Sequence, residues 1–246
     1  MTGLALRLNP AIDVEAAARA YARDGFVQIP DVFEPKVADA LSTLLETGLD
    51  WDLAFEGEDG RPAVLNRAQI AAAGEPVLRE RLKAMLARAG EGYGFMYLSY
   101  PLISAYLAGR DPGHAIHGVT EWLNQEFVRF GAAVTGQPQV VKADGQATRY
   151  RAGDFIGLHN DVGSEASDRL TAYTLGLTRS WRPDWGGQLL FHDAAGDVSR
   201  GHAPRWNTLT LFRVPQLHSV SPVAAYARGT RLSIVGWLRD AGTAAR

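Results

Sequence analysis

Apolar residues recur every three or four positions through the first half of the chain and every second position through the second half. Residues 11–23 (AIDVEAAARAYAR) are alanine-rich with apolar positions at helical intervals, and Gly25 ends that pattern. FVQIP at 26–30 reads as a short strand. Pro35 stands where a helix would begin, and Val37, Ala38, Leu41, Leu44 and Leu45 then share one helical face. The same spacing links Leu78, Leu82, Met85 and Leu86 within 76–89, and Trp122, Leu123, Phe127 and Phe130 within 117–134. From about residue 138 the period falls to two, with strand-like runs at 139–143, 147–151, 155–159, 171–177, 188–191, 207–213 and 231–238. Gly, Pro, Asp and Asn clusters separate them, as in an antiparallel barrel or sandwich. YGFMYLSY at 93–100 is expected to join that sheet from the helical half. A parallel sheet would need helices between these strands, and there is no room for them. The expected fold class is therefore α+β, a single domain over 1–246 with a helical flank to about 135 and a β-core over about 136–240.

Composition narrows the function classes. A net charge of −2 offers no broad attraction to nucleic acid or to an anionic membrane. The absence of cysteine excludes disulfides, thiolate metal sites and cysteine nucleophiles. The opening MTGLALRLNPAIDVEAA lacks the features of a secretory signal, and no run approaches the roughly 18 apolar residues of a membrane span, so a soluble cytoplasmic protein is expected.

Candidate chemistry lies in RYRAGDFIGLHNDVGS, residues 149–164. FIGLH reads as a strand running into a turn, which places His159 and Asp161 at its end. Two residues apart on an extended chain, their side chains would point the same way. A third ligand is expected far along the chain on a neighbouring strand, and His218 in PQLHSVSPV fits, 218 − 161 = 57 residues on. His114, His117, His192 and His202 are its rivals; His117 falls on a helix, and His192 and His202 flank a Gly/Asp-rich loop. Two imidazoles and one carboxylate occupy one face of an octahedron and leave three positions open, the arrangement of Fe(II) oxygenases. Arg231, in GTRLSIVGWLR, enters an otherwise apolar alternation 231 − 218 = 13 residues after His218, which suggests an inward role. A guanidinium binds a carboxylate bidentately and stays charged when partly buried. 2-Oxoglutarate chelating iron through its 1-carboxylate and 2-oxo oxygen would leave its far carboxylate for such a group.

The ordered blocks TRYRAGDFIGLHND, RLTAYTLGLTRSWRPDWGGQLLF, NTLTLFRVPQLHSVSPV and RLSIVGWL cover most of 147–238, and with YARDGFVQIPDVFEP they resemble the Fe(II)/2-oxoglutarate dioxygenase superfamily. Within it they look most like the prolyl-hydroxylase branch, in particular the ribosomal-protein prolyl hydroxylases and their bacterial relatives. The resemblance implies a double-stranded β-helix (jelly-roll) core with N-terminal flanking helices. It implies His159, Asp161 and His218 as iron ligands, and Arg231, Tyr150 and Tyr173 around the 2-oxoglutarate far carboxylate, with Fe(II), 2-oxoglutarate and O2 as reactants and ascorbate as a supporting reductant. Trp185-Gly186-Gly187 matches a structural turn, Trp237 a core position bordering the substrate site, and loop 52–76 a substrate-covering flap. The implied activity is hydroxylation of a prolyl residue in a protein or peptide, so a polypeptide partner is expected, with neither nucleic acid nor membrane. Hydroxylation of Asp or Asn in a ribosomally made peptide, or of a free amino acid, stays open. So does a non-catalytic cupin-like binding protein. An AlkB-like nucleic-acid demethylase would use a second arginine, for which Arg239 is placed, but the overall charge speaks against it.

Overall fold

The computed structural model describes residues 4–162 and 168–241. Its first helix, α1 (Val14–Asp24), begins where the Asp13 side chain accepts a hydrogen bond from the Ala16 amide at 2.8 Å and ends at Gly25, whose φ of 62° few other residues adopt. α2 (Pro35–Thr47) carries proline at its first position, where the missing N–H costs nothing. α3 (Arg67–Ala73), α4 (Glu75–Ala89) and α5 (Leu102–Leu107) follow. The helix expected over 117–134 is α6 (His117–Trp122) and α7 (Val128–Thr135), joined without a break by one π turn, Leu123–Phe127.

Thirteen strands are present among the described residues: β1 (Phe26–Ile29), β2 (Asp52–Glu56), β3 (Pro62–Leu65), β4 (Phe95–Tyr100), β5 (Lys142–Ala143), β6 (Gln146–Tyr150), β7 (Phe155–His159), β8 (Arg169–Leu177), β9 (Leu189–His192), β10 (Val198–His202), β11 (Trp206–Arg213), β12 (His218–Val220) and β13 (Arg231–Arg239). Every pairing is antiparallel. The last eight strands form two four-stranded layers, β6-β13-β8-β11 and β7-β12-β9-β10, and the chain crosses between them at every step except the β9–β10 hairpin, which is the jelly-roll winding. β4 bonds to both β6 and β7 and so joins the two layers along one side. The fold is the expected α+β jelly roll flanked by helices.

Strand parity decides what each residue faces. Leu232, Ile234 and Leu238 of β13 and Tyr173, Leu175 and Leu177 of β8 pack outward with Leu41, Leu45, Trp122 and Phe127 of the helices. Residues of the other parity, Arg231, Val235 and Trp237 on β13 and Ala172 and Thr174 on β8, line the barrel interior.

Three expectations are corrected. Segment 52–76 is not a loop but the β2–β3 hairpin leading into α3, held because Leu53 and Phe55 pack with Ala63, Leu65 and Met85. The strand expected at 139–143 shrinks to Lys142–Ala143. β10 and β12 have no counterpart in the expected set, since VSRGH carries almost no apolar residue and HSV is only three residues long.

Candidate metal and co-substrate site

His159 is the last residue of β7 and His218 the first of β12, and the two are direct partners in the β7–β12 register. Their ring centroids lie 4.1 Å apart. Asp161 reaches them by a different route from the one expected. It has left the extended conformation for a φ of 63°, so a turn rather than strand alternation brings its carboxylate round to the imidazoles. For a residue with a Cβ that conformation costs about 1 kcal/mol and persists only where the surroundings hold it. Asp161 Oδ1 lies 3.4 Å from His159 Nε2, and Oδ2 lies 3.5 Å from His218 Nε2.

The hydrogen bonds at the far side of each ring settle its orientation. His159 Nδ1 meets the Gly157 carbonyl at 2.8 Å and His218 Nδ1 meets the Gln216 carbonyl at 2.7 Å. A carbonyl only accepts, so both Nδ1 atoms carry a proton and both Nε2 atoms face Asp161. Burial pushes the His218 pKa down to about 4, with the charge of His159 acting the same way and Asp161 opposing. Burial alone would raise the Asp161 pKa, but His159, His218 and the Trp237 indole more than offset it and hold the carboxyl below its ordinary range. Neutral imidazoles and an ionised carboxylate are the ligating forms. One atom from each residue falls within 4.8 Å of the others, and among the described residues no other His/Asp/Glu group converges in this way. The donor set therefore fits Fe(II), with N and O ligands on one side and open space on the other.

The rival histidines are engaged elsewhere. His114 Nδ1 accepts from the Ile116 amide at 3.2 Å, and His117 Nε2 bonds the Arg110 carbonyl at 2.8 Å. His192 Nε2 meets Ser219 Oγ at 2.9 Å, and His202 stacks on Phe26 with ring centroids 4.8 Å apart.

The triad opens into a cavity of about 650 Å³. Arg231 lines it from β13, buried, with its guanidinium 4.8 Å from the Tyr150 ring centroid. Burial lowers the Arg231 pKa, and Tyr150 is the group that counters this effect; among the described residues no carboxylate forms an ion pair with it. The register pairs Arg231 with Tyr150 directly. Trp185-Gly186-Gly187 supports this corner as a turn: φ is 67° and 62° at the two glycines, and a Cβ at Gly187 would stand 3.2 Å from Trp181 and 3.6 Å from Arg231 Cδ.

Tyr173 is placed differently from the expectation. The register pairs it with Gly236, five positions from Arg231 and on the opposite face of the sheet. Its ring meets Phe127 edge-on at 4.8 Å, and its hydroxyl donates to the Asp144 carbonyl at 2.8 Å. Odd positions of β8 face the helices, so the Tyr173 ring packs in the core beside the site, while the residue also lines the cavity that holds Arg231.

An unexpected feature is an aromatic wall from the triad to Arg231. Tyr93 lies 5.7 Å from His159 between ring centroids; Tyr93, Phe95, Tyr97 and Tyr150 then follow at 5.9, 5.5 and 5.0 Å. Residues 93, 95 and 97 alternate along YGFMYLSY, and that spacing was the available signal. Arg169 was also missed, although it lines the same cavity.

Residues 145–239 match the family model described as the 2OG-Fe(II) oxygenase superfamily. No curated protein sequence matches the chain significantly. Among solved structures, a Pseudomonas putida prolyl-4-hydroxylase is similar over 93% of this chain and 100% of its own at 19% identity, with a TM-score of 0.59. A Burkholderia pseudomallei oxidoreductase of the 2OG-Fe(II) oxygenase family is similar over 96% and 95% at 16% identity and a TM-score of 0.59. A Trichoplax adhaerens prolyl hydroxylase, in complex with a hypoxia inducible factor oxygen degradation domain peptide fragment, is similar over 92% and 89% at 14% identity, again with a TM-score of 0.59. With the jelly-roll core and the His-Asp-His cluster, the match over residues 145–239 supports a 2-oxoglutarate-dependent dioxygenase that works with Fe(II), 2-oxoglutarate and O2.

Proposed function

We propose that the protein hydroxylates a prolyl residue in a polypeptide, with His159, Asp161 and His218 holding the iron and Arg231 and Tyr150 holding the far carboxylate of 2-oxoglutarate. The observation that carries the site reading is the buried Arg231 guanidinium, which has no carboxylate partner among the described residues and lines the same cavity as the triad. A buried cation without a counter-ion is costly, and a bound dicarboxylate would relieve that cost. Tyr150 sits against the guanidinium, where its phenol can donate to the same carboxylate. Bound Fe(II), with 2-oxoglutarate and O2, supplies the oxidation of a C–H bond, with succinate and CO2 as co-products. The chain's own contribution is to fix the two imidazoles through their Nδ1 bonds, to anchor the co-substrate at Arg231 and to keep bulk water away with Leu189, Phe212 and Val220 along the cavity wall.

The substrate reading rests on the charges around the cavity. Asp144 is already bound by Arg239 at 2.8 Å and by the Trp237 amide at 2.8 Å, and Arg169 is engaged with Trp237 and Asp161. With Arg231 assigned to the co-substrate and Asp161 to iron, no charged side chain among the described lining residues is left for the ammonium and carboxylate of a free amino acid. An internal residue of a polypeptide presents neither. Pro62 and Val64 of the β2–β3 hairpin and Pro101, Ile103 and Ser104 at the start of α5 also line the cavity, a mainly apolar surface suited to a pyrrolidine ring and its flanking chain. The fold shared with prolyl hydroxylases, one of them bound to a peptide, supports the same choice.

The test is mass spectrometry of lysate proteins and proline-containing peptides after incubation with enzyme, Fe(II), ascorbate and 2-oxoglutarate, with succinate measured in parallel. A +16 shift on proline that disappears in H159A is the expected result. Succinate production stimulated only by free amino acids, with no modified polypeptide, would overturn the substrate reading; no metal-dependent succinate at all would overturn the site reading.

A further inference from the structure

Asp161 is the one member of the triad that no strand holds in place. The two histidines inherit their positions from paired strands, whereas Asp161 lies past the end of β7 at a φ of 63°. Something else must fix its carboxylate.

Two residues from the opposite layer of the barrel reach it. Arg169, the first residue of β8, donates from Nη1 to the Asp161 carbonyl at 3.0 Å, and this bond ties down the peptide whose left-handed conformation turns the carboxylate inward. The same guanidinium stacks over the Trp237 indole, 3.8 Å from the ring centroid. The Trp237 indole N–H is buried without a hydrogen-bond partner, and Trp237 lines the same cavity as Asp161. A buried, unspent donor lining the same cavity as a carboxylate is available to that carboxylate. Trp237 is itself anchored: its backbone amide donates to Asp144 Oδ1 at 2.8 Å, Asp144 is bound by Arg239, and Arg239 in turn binds Asp168, the neighbour of Arg169. Arg169 and Trp237 thus form one unit on the β8–β13 layer that reaches the free-standing ligand.

We propose that Arg169 and Trp237 are positioning residues for the Asp161 carboxylate, setting metal affinity and leaving co-substrate affinity to Arg231. The inference rests on the reading of Asp161 as an iron ligand. Arg169 fixes the backbone of the ligand and Trp237 its carboxylate, and each holds the other by stacking. Partners of this kind typically change metal affinity by about 10- to 100-fold when removed.

The experiment titrates the metal-free full-length protein with Mn(II), following free Mn(II) by its electron paramagnetic resonance signal, for wild type, D161A, R169A, R169K and W237F. W237F keeps an aromatic ring to stack with Arg169 but lacks the N–H, so it probes the donor without emptying the site. Thermal unfolding of each metal-free variant, and 2-oxoglutarate binding at saturating Mn(II), are measured alongside. The expected result is Mn(II) binding about 10-fold weaker in W237F and R169A, with partial recovery in R169K, which can still donate to the carbonyl. 2-Oxoglutarate affinity at saturating metal should stay within about twofold of wild type, and metal-free stability should not fall in step with metal affinity. D161A losing Mn(II) while R169A and W237F bind like wild type would overturn this proposal alone. So would a loss of 2-oxoglutarate affinity equal to the loss of Mn(II) affinity. D161A binding Mn(II) as wild type does would overturn the ligand assignment on which the proposal stands.

Discussion

His218 stands directly across from His159 in the antiparallel β7–β12 register, although 59 residues (218 − 159) separate them in sequence. The sheet itself therefore pre-forms two of the three proposed ligand positions, since register and not side-chain reach brings the two Nε2 atoms together. Each ring is also held from behind by a backbone carbonyl, so neither has to reorient to ligate.

Replacing His218 by alanine should then remove metal binding while leaving the sheet paired. Iron retained per protein after dialysis, and succinate formed from 2-oxoglutarate, should both fall by about 100-fold or more, exceeding the usual effect of losing only an outer partner of a ligand. H202A, which alters a histidine stacked on Phe26 outside the cluster, should leave both quantities near wild type.

Arg231 makes a separable prediction, because it lines the cavity without belonging to the triad. R231A should raise the KM for 2-oxoglutarate by about 100-fold, the equivalent of roughly 3 kcal/mol for two lost charge-assisted hydrogen bonds. R231K keeps a charge without the fork and should recover part of that loss. Mn(II) affinity of the same variants, measured without 2-oxoglutarate, should be unchanged.

The residues that were legible in the sequence owe it to local pattern. His159 and Asp161 are two apart, Arg231 breaks an apolar alternation, and the helix faces of α1 and α2 follow from spacing alone, as does that of α4 apart from Leu86, which is exposed. What was not legible depends on pairing between distant strands. β4 bonds to both β6 and β7, and only that insertion turns Tyr93, Phe95 and Tyr97 into a wall beside the triad. Arg169 and Trp237 meet because β8 lies beside β13 with Leu238 opposite Thr171 and Arg239 opposite Arg169, and a shift occurs between those two pairs; no single-strand pattern contains that shift. The orientation of Tyr173 was not legible for the same reason. Its aromatic character was evident, but whether it faced Arg231 or the helices depended on a register fixed by the partner strand.

Tyr150 and Tyr173 should accordingly separate in their effects. Y150F removes a phenol that sits beside Arg231 and should raise the KM for 2-oxoglutarate several-fold with little change in stability. Y173F removes a buried hydrogen bond to the Asp144 carbonyl and should cost about 1 kcal/mol of unfolding free energy, with the KM unchanged. Steady-state kinetics and urea unfolding of the two variants check both halves; a KM effect in Y173F would show that the phenol on the helix side does reach the co-substrate.

The metal-free protein should lose stability in mild acid, and His218 sets the window. Its pKa is pushed from the ordinary 6.5 to about 4, first by burial and then by His159, with Asp161 partly opposing. Between those two values the unfolded chain binds the proton and the folded chain does not, so stability rises with pH across the interval and is lost as pH falls from 6.5 towards 4. A displacement of roughly 2.5 pKa units corresponds to a loss of about 3 kcal/mol across the interval. The Asp161 carboxyl, whose pKa is lowered, adds its own loss in the same direction only below the ordinary carboxylate range, and His202, also lowered by burial, contributes a smaller slope inside the window. H218N should flatten the dependence of urea-unfolding free energy on pH between about 4.5 and 6.5 while H202N leaves most of it. Saturating Mn(II) should steepen it, because protons and metal then compete for the same Nε2. An unchanged slope in H218N would mean that the imidazole takes up its proton in the folded state, and that burial among Phe212, Phe191 and His159 does not hold it neutral.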